Sequence, residues 1–221
     1  MRVLVIAAHM DDEVLGAGGT ILRHVARGDE VHVCCVAHRK YNNTFDAARN
    51  EGEMACARRA QQILGYATLE FLGLPDERLD ACLQDIIIPL ERCIAKIDPE
   101  IAYVNHRGDL NQDHRAVFHA SMVGLRTSHR PSLRSVLCYE TASSTEQSPP
   151  VPEMAFLPNW YVDIGDFIDR KVAALECYET ERRQFPHPRS VEAVRVLASR
   201  RGIEAGFNAA EAFVLLRQRC S

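Results

Sequence analysis

Short apolar runs alternate along the chain with longer segments of mixed polarity. Near-continuous apolar stretches recur at residues 2–8, 31–37, 68–72, 100–105, 134–139 and 160–164, with the length and composition of strands. Most of the intervals carry amphipathic spacing, which predicts helices over 14–27, 45–64, 83–96 and 112–125. Gly28-Asp29 and Gly65 stand where the first two should stop, since glycine accepts the left-handed conformation that closes a helix. Asp98-Pro99 ends the third, and Asn111 or Asp109 is placed to cap the start of the fourth. Two further helices are expected near 166–180 and from about 190 to 201, separated by the break Gln184-Phe185-Pro186-His187-Pro188. The stretch 141–158 is rich in Ser, Thr and Pro without periodicity and reads as a long loop, a frequent carrier of binding groups. Regular alternation of this kind predicts an α/β sandwich around a largely parallel sheet, with each strand-to-helix junction on one rim. Arg2 to Ala8, apolar at nearly every position, fits a strand buried on both faces.

A chain of 221 residues with 47% hydrophobic positions is long enough for one sizeable core, so residues 1–221 are read as a single domain. The net charge of −4 arises from interspersed signs and leaves no footprint for nucleic acid or an anionic bilayer. A small neutral or polar substrate fits better. No run approaches the roughly 18 apolar residues of a membrane span, and no cleavable leader pattern precedes the first strand, so a soluble cytoplasmic protein is expected. The eight cysteines include no C-x-x-C pair and lie mostly in apolar stretches, as structural thiols do. Whether copies pair as a homo-oligomer is left open.

Candidate chemistry collects in two places. The first strand gives out into Ala8-His9-Met10-Asp11-Asp12-Glu13, and the strand near 101–105 gives out into a segment holding His106, Asp109, Asp113 and His114. If both junctions share a rim, His9, Asp12 and His114 supply two imidazoles and a carboxylate, a donor set suited to a catalytic zinc with one position open for water. A plainer reading makes the first cluster a solvated acidic helix start favoured by the helix dipole, and the second a capped helix with polar surface groups. Gly16, Gly18 and Gly19 follow the carboxylates and fall inside the predicted helix, which favours close helix–sheet packing over a dinucleotide fingerprint.

The stretch Ala8-His9-Met10-Asp11-Asp12-Glu13-Val14-Leu15-Gly16 with Gly18-Gly19-Thr20 resembles the A-H-P-D-D-E-x-x-x-G-x-G-G motif of the PIG-L/LmbE-type deacetylases, and D-L-N-Q-D-H-R at 109–115 is similar to that family's second metal motif. Y-E-T-A-S-S-T-E at 139–146, Phe185-Pro186-His187-Pro188-Arg189-Ser190 and Ala210-Glu211-Ala212-Phe213 also resemble blocks of sugar-deacetylating members. The resemblance implies a Rossmann-like α/β/α fold and a zinc enzyme that removes acetyl from an N-acetylglucosamine-type amino sugar or its conjugate. It further implies that His9, Asp12 and His114 bind zinc and that Asp11 is the general base. Two imidazoles and one carboxylate also accept Fe2+ or Co2+.

The chain departs from the pattern at Met10, where proline is usual, and at Asn111, where some members carry a histidine proposed to protonate the leaving amine. His106 is the expected substitute for that acid, with protonated Asp11 as the other choice and His187 as a group able to fold over the site. Asp113 is expected to orient a partner. Arg49 is weighed between sugar binding and an i,i+4 ion pair with Glu53. The rival readings are an amidase with a roomier acyl pocket and a noncatalytic carbohydrate-binding protein that keeps the metal for stability.

Overall fold

The computed structural model describes residues 1–38 and 45–220. Strand β1 (Arg2–Ala7) leads into α1 (Asp12–Ala26), β2 (Glu30–His38), α2 (Ala47–Leu64), β3 (Thr68–Pro75), α3 (Leu83–Ile97), β4 (Ile101–Asn105), α4 (Gln112–Gly124) and β5 (Ser135–Tyr139). After the long loop come β6 (Trp160–Asp163), α5 (Ile168–Leu175), α6 (Val191–Ala205) and β7 (Ala210–Gln218). The strands form one seven-stranded sheet in the order β3-β2-β1-β4-β5-β7-β6. β1 to β5 are mutually parallel, while β7 runs antiparallel to both β5 and β6. This is a single α/β domain with helices on both faces.

Period-two alternation along β1 divides the core. Val3, Val5 and Ala7 face the layer of α1, α2 and α5, whereas Leu4, Ile6 and Ala8 face α3 and α4. A strand flanked this way needs apolar residues at every position, which is why the segment lacks polar alternation. The expected close approach of α1 also holds. A Cβ on Gly16 would lie 2.1 Å from the Tyr139 ring, and one on Gly19 2.6 Å from Ile164.

The expected helices and strands are present with ends shifted by a few residues, and β7 is an addition. Pro89 lies inside α3. Asn111 is the cap of α4, its side chain accepting from the Asp113 amide at 2.8 Å. No helix among the described residues is long and apolar enough to cross a membrane. The functionally important consequence of the strand order is the pairing of β1 with β4: the chain winds away from β1 through β2 and β3, then returns to β1's other side. Such a reversal opens a crevice beyond the carboxyl ends of the two strands, and the two polar clusters emerge there.

Candidate functional site

The first cluster is shaped by its backbone. At Asp11 the chain takes φ 111° just before α1, a left-handed conformation that costs a non-glycine residue on the order of 1–3 kcal/mol and that Asp and Asn tolerate best. The Asp11 carbonyl accepts from the Val14 and Leu15 amides at 3.0 and 2.9 Å, which starts the helix directly after the bend. The turn keeps both neighbouring carboxylates, Asp11 and Asp12, fully buried in the crevice. Glu13 props it from behind: one oxygen accepts from the Asp11 amide at 3.1 Å and the other from the Tyr178 hydroxyl at 2.6 Å. Burial pushes the Glu13 carboxyl up to about 7 against the partial relief of the Tyr178 bond.

His9, Asp12 and His114 meet across the β1–β4 crevice. His9 Nδ1 and His114 Nε2 lie 3.2 Å apart, and Asp12 Oδ2 is 3.6 Å from the first and 3.3 Å from the second. Donors about 2.0–2.1 Å from a tetrahedral ion are separated by about 3.3 Å, so the triangle fits one face of such a coordination shell. A further observation agrees: Asp12 Oδ1, the other oxygen of that carboxylate, is buried with no hydrogen-bond partner among the described residues, leaving acceptor capacity that a cation would satisfy.

Each imidazole is held from its far side. His9 Nε2 faces Asp76 Oδ1 at 3.0 Å and Asp113 Oδ2 at 3.3 Å. Asp113 is itself fixed by the Glu77 and Leu79 amides at 2.7 and 3.0 Å. His114 Nδ1 faces Asp109 Oδ1 at 3.2 Å, and Asp109 Oδ2 accepts from the Ser144 and Thr145 hydroxyls. Carboxylates behind a ligating histidine fix its ring and raise its basicity. A second trio, His9, Asp76 and Asp113, is also close enough to surround an ion. Because both Asp113 oxygens already accept backbone amides, we read it as the bracket for His9.

The charges explain the titration. Burial opposes the charged form of His9, yet Asp113, Asp12 and Asp76 override it and hold the imidazole well above its ordinary value. Burial acts on His114 in the same sense, and Asp12 and Asp109 raise it to about 9. Asp12, whose burial resists ionisation, is held well below the carboxylate range by His114 and His9. Four carboxylates thus surround two imidazoles, an excess of negative charge that suits a divalent cation.

Asp11 points to a different partner. Its Oδ2 receives Arg189 Nη1 at 2.9 Å, and the same nitrogen contacts Glu181 Oε2 at 3.0 Å while Arg189 Nε bonds Ser143 Oγ at 2.7 Å. His187 shapes the turn that delivers this arginine, its Nδ1 accepting from the Arg189 amide at 3.1 Å. His106 directly follows β4, one residue past the strand end it is expected to form, and its Nε2 is engaged by the Met154 carbonyl at 3.1 Å while its ring abuts Phe156. Burial lowers its basicity, only partly offset by that carbonyl, the opposite of what a protonated donor requires. Arg49 lies exposed on the first turn of α2.

Sequence reasoning missed Asp76, and it passed over Arg189 as a partner of the base. Asp76 follows β3 in a stretch that reads as an ordinary turn. Arg189 had a signal, its place in the Pro-flanked block beside His187, but nothing local ties it to Asp11, 178 positions away.

A family model described as PIG-L, GlcNAc-PI de-N-acetylase, matches residues 4–123. The chain belongs to the PIG-L family. The matched region runs from β1 into α4 and so contains both clusters. Among relatives, the Escherichia coli K12 protein YaiS, described as an uncharacterized deacetylase, is 31% identical over 184 residues, covering 80% of this chain and 90% of that protein. The 4-oxalmesaconate hydratase of Pseudomonas putida is 25% identical over 214 residues, covering 90% of this chain and 81% of the hydratase. The crystal structure of a conserved Thermus thermophilus protein, TT1542, superposes with a TM-score of 0.77 at 26% identity, covering 100% of this chain and 97% of that one. Relatives named for deacetylation and for hydration are thus both similar to this chain.

Proposed function

We propose that this protein is a metal-dependent N-deacetylase acting on the acetamide of an N-acetylglucosamine-type sugar or a small conjugate of one. The observation that supports it is the buried His9–Asp12–His114 triangle beside Asp11, a carboxylate anchored by an arginine. Held by those three donors, a divalent ion, zinc with iron or cobalt as substitutes, would supply Lewis-acid polarisation of the acetamide carbonyl and acidification of water. Asp11 then has the role of proton carrier: it takes the proton of the attacking water and returns it to the departing sugar nitrogen. Arg189 and the strained turn hold that carboxylate in one orientation, which limits the reorganisation each transfer needs. Asp113 with Asp76, and Asp109, keep the two imidazoles aimed inward. With Nε2 engaged and its protonation disfavoured, His106 serves better as a wall of the site than as its acid, so both proton transfers are assigned to Asp11.

The test is release of acetate from a panel of acetylated glucosamine derivatives by zinc-reconstituted protein, with Asp11→Asn as the matched control. Release of larger acids from sugar-linked amides, with acetamides untouched, would place it with amidases. Similarity to the hydratase adds a third arm: water addition across a carboxylated enol, without acid release, would reject deacetylation. No turnover of any of these by metal-loaded protein would favour a binding role.

A further inference from the structure

A second cleft opens at the opposite end of the sheet. On the α1 face, the C-terminal half of α1 forms one wall, and β6 with Phe207 forms the other. Between them lie residues of β4, β5 and β7, of which Ile101 and Leu215 are partly exposed and Leu137 is buried. The cavity measures about 370 Å³, within the range of small-molecule sites. The cleft takes in Met1 and Ile101 at the amino ends of β1 and β4, whereas His9 lies beyond the carboxyl end of β1 and Asn105 is the last residue of β4.

Its lining is amphipathic. Ile101, Leu137 and Leu215 make an apolar floor, and Trp160, 44% exposed, stands at its side. Two cations come from the end of α1, Arg23 from its last turn and Arg27 as the residue that follows it. Arg23 is already bonded to Asp163, through the carbonyl at 2.9 Å and the carboxylate at 3.8 Å. Arg27 is exposed, and no partner is found for its guanidinium among the described residues. It lies near enough to His24 and Tyr103 for its charge to act on both. Thr20 also lines the cleft, only 2% exposed, with a hydroxyl that has no hydrogen-bond partner among the described residues. An apolar floor, an aromatic wall and one uncommitted cation together match one kind of ligand.

We propose that this cleft is a second binding site, for a small amphipathic anion: an aryl or short acyl body on the Ile101–Leu137–Leu215 floor beside Trp160, with one acidic oxyanion group at Arg27. It stands independently of the deacetylase reading. Only an apolar body of a few rings or methylenes fits the volume, and the acid group gains a charge-assisted contact with Arg27.

Trp160 is the chain's single tryptophan, which makes occupancy directly readable. The probe is 8-anilinonaphthalene-1-sulfonate, titrated into the full chain while Trp160 emission and energy transfer to the dye are followed. The expected result is saturable quenching at about one dye per chain, weakened about tenfold by Arg27→Gln as expected for a lost charged contact and removed by Ile101→Phe, which fills the floor. Should Ile101→Phe fail to fold by circular dichroism, the surface variant Arg27→Gln decides alone. Absence of saturable quenching, or binding that Arg27→Gln leaves intact, overturns the proposal. So does self-association that excludes the dye, which would assign the cleft to a second copy of the chain.

Discussion

Asp11 and Asp12 are adjacent in the chain and chemically identical, yet the left-handed turn at Asp11 sends them to different tasks. Asp12 faces two imidazoles, whereas Asp11 faces Arg189. Their substitutions should therefore separate. Asp11→Asn, which keeps the turn, should retain about one equivalent of metal while turnover falls by about two to four orders of magnitude. His114→Ala should abolish stoichiometric metal binding, and Asp109→Asn should weaken it by about 10–100-fold by loosening the His114 ring. Metal analysis beside initial rates checks all three; an Asp11→Asn enzyme with wild-type turnover would remove Asp11 from the chemistry. At this scale the triangle was legible, because His9, Asp12 and His114 follow two apolar runs in motif spacing. The brackets were less so: nothing about Asp76 in L-P-D-E-R marks it as a histidine partner, and the engagement of His106 depends on where the long loop lays Met154.

At the scale of elements, α1 begins at the turn that carries Asp11 and Asp12 and packs closely on the sheet. Gly16 permits that approach, since a methyl group there would overlap the Tyr139 ring, while Gly52 on α2 has open space around its Cα. The same substitution should have opposite signs at the two positions. Gly16→Ala forces the helix or Tyr139 to shift and should destabilise by about 1–3 kcal/mol, and the displaced Asp12 should also weaken metal binding. Gly52→Ala should stabilise by about 0.5–1 kcal/mol through helix propensity alone. Denaturant midpoints of the two variants check this; destabilisation by Gly52→Ala would show that α2 packs more tightly than its open side indicates. The parallel strands β1, β2, β4 and β5 announced themselves through buried apolar runs, and β3 through a half-buried one. β7 did not, because its burial fades from Ala210–Phe213 into half-exposed and exposed positions toward Gln218, so no continuous run or clean alternation marks it.

For the whole molecule, the excess of carboxylates in the crevice couples metal binding to pH. His9 and His114 have folded-state pKa values raised above the ordinary histidine value, His114 to about 9. In the metal-free protein their protonation therefore contributes stability that is full below about pH 6.5 and is lost as pH rises through the raised folded values, about 9 for His114. A metal ion needs both imidazoles neutral, so it must displace those protons, and each unit of pH makes that displacement easier. The midpoint of unfolding alone is a poor readout, because burial shifts His24, His32 and His106 the other way, and their contribution grows as pH rises through about 6.5. The difference between zinc-loaded and metal-free protein cancels every group whose titration the ion leaves unchanged. That difference in melting temperature should increase from about pH 6 to about pH 9, with proton release on zinc binding near neutrality measured by calorimetry in buffers of different ionisation enthalpy. A zinc increment independent of pH, without proton release, would mean that the ion binds away from His9 and His114, and the deacetylase reading built on their triangle would fall with it.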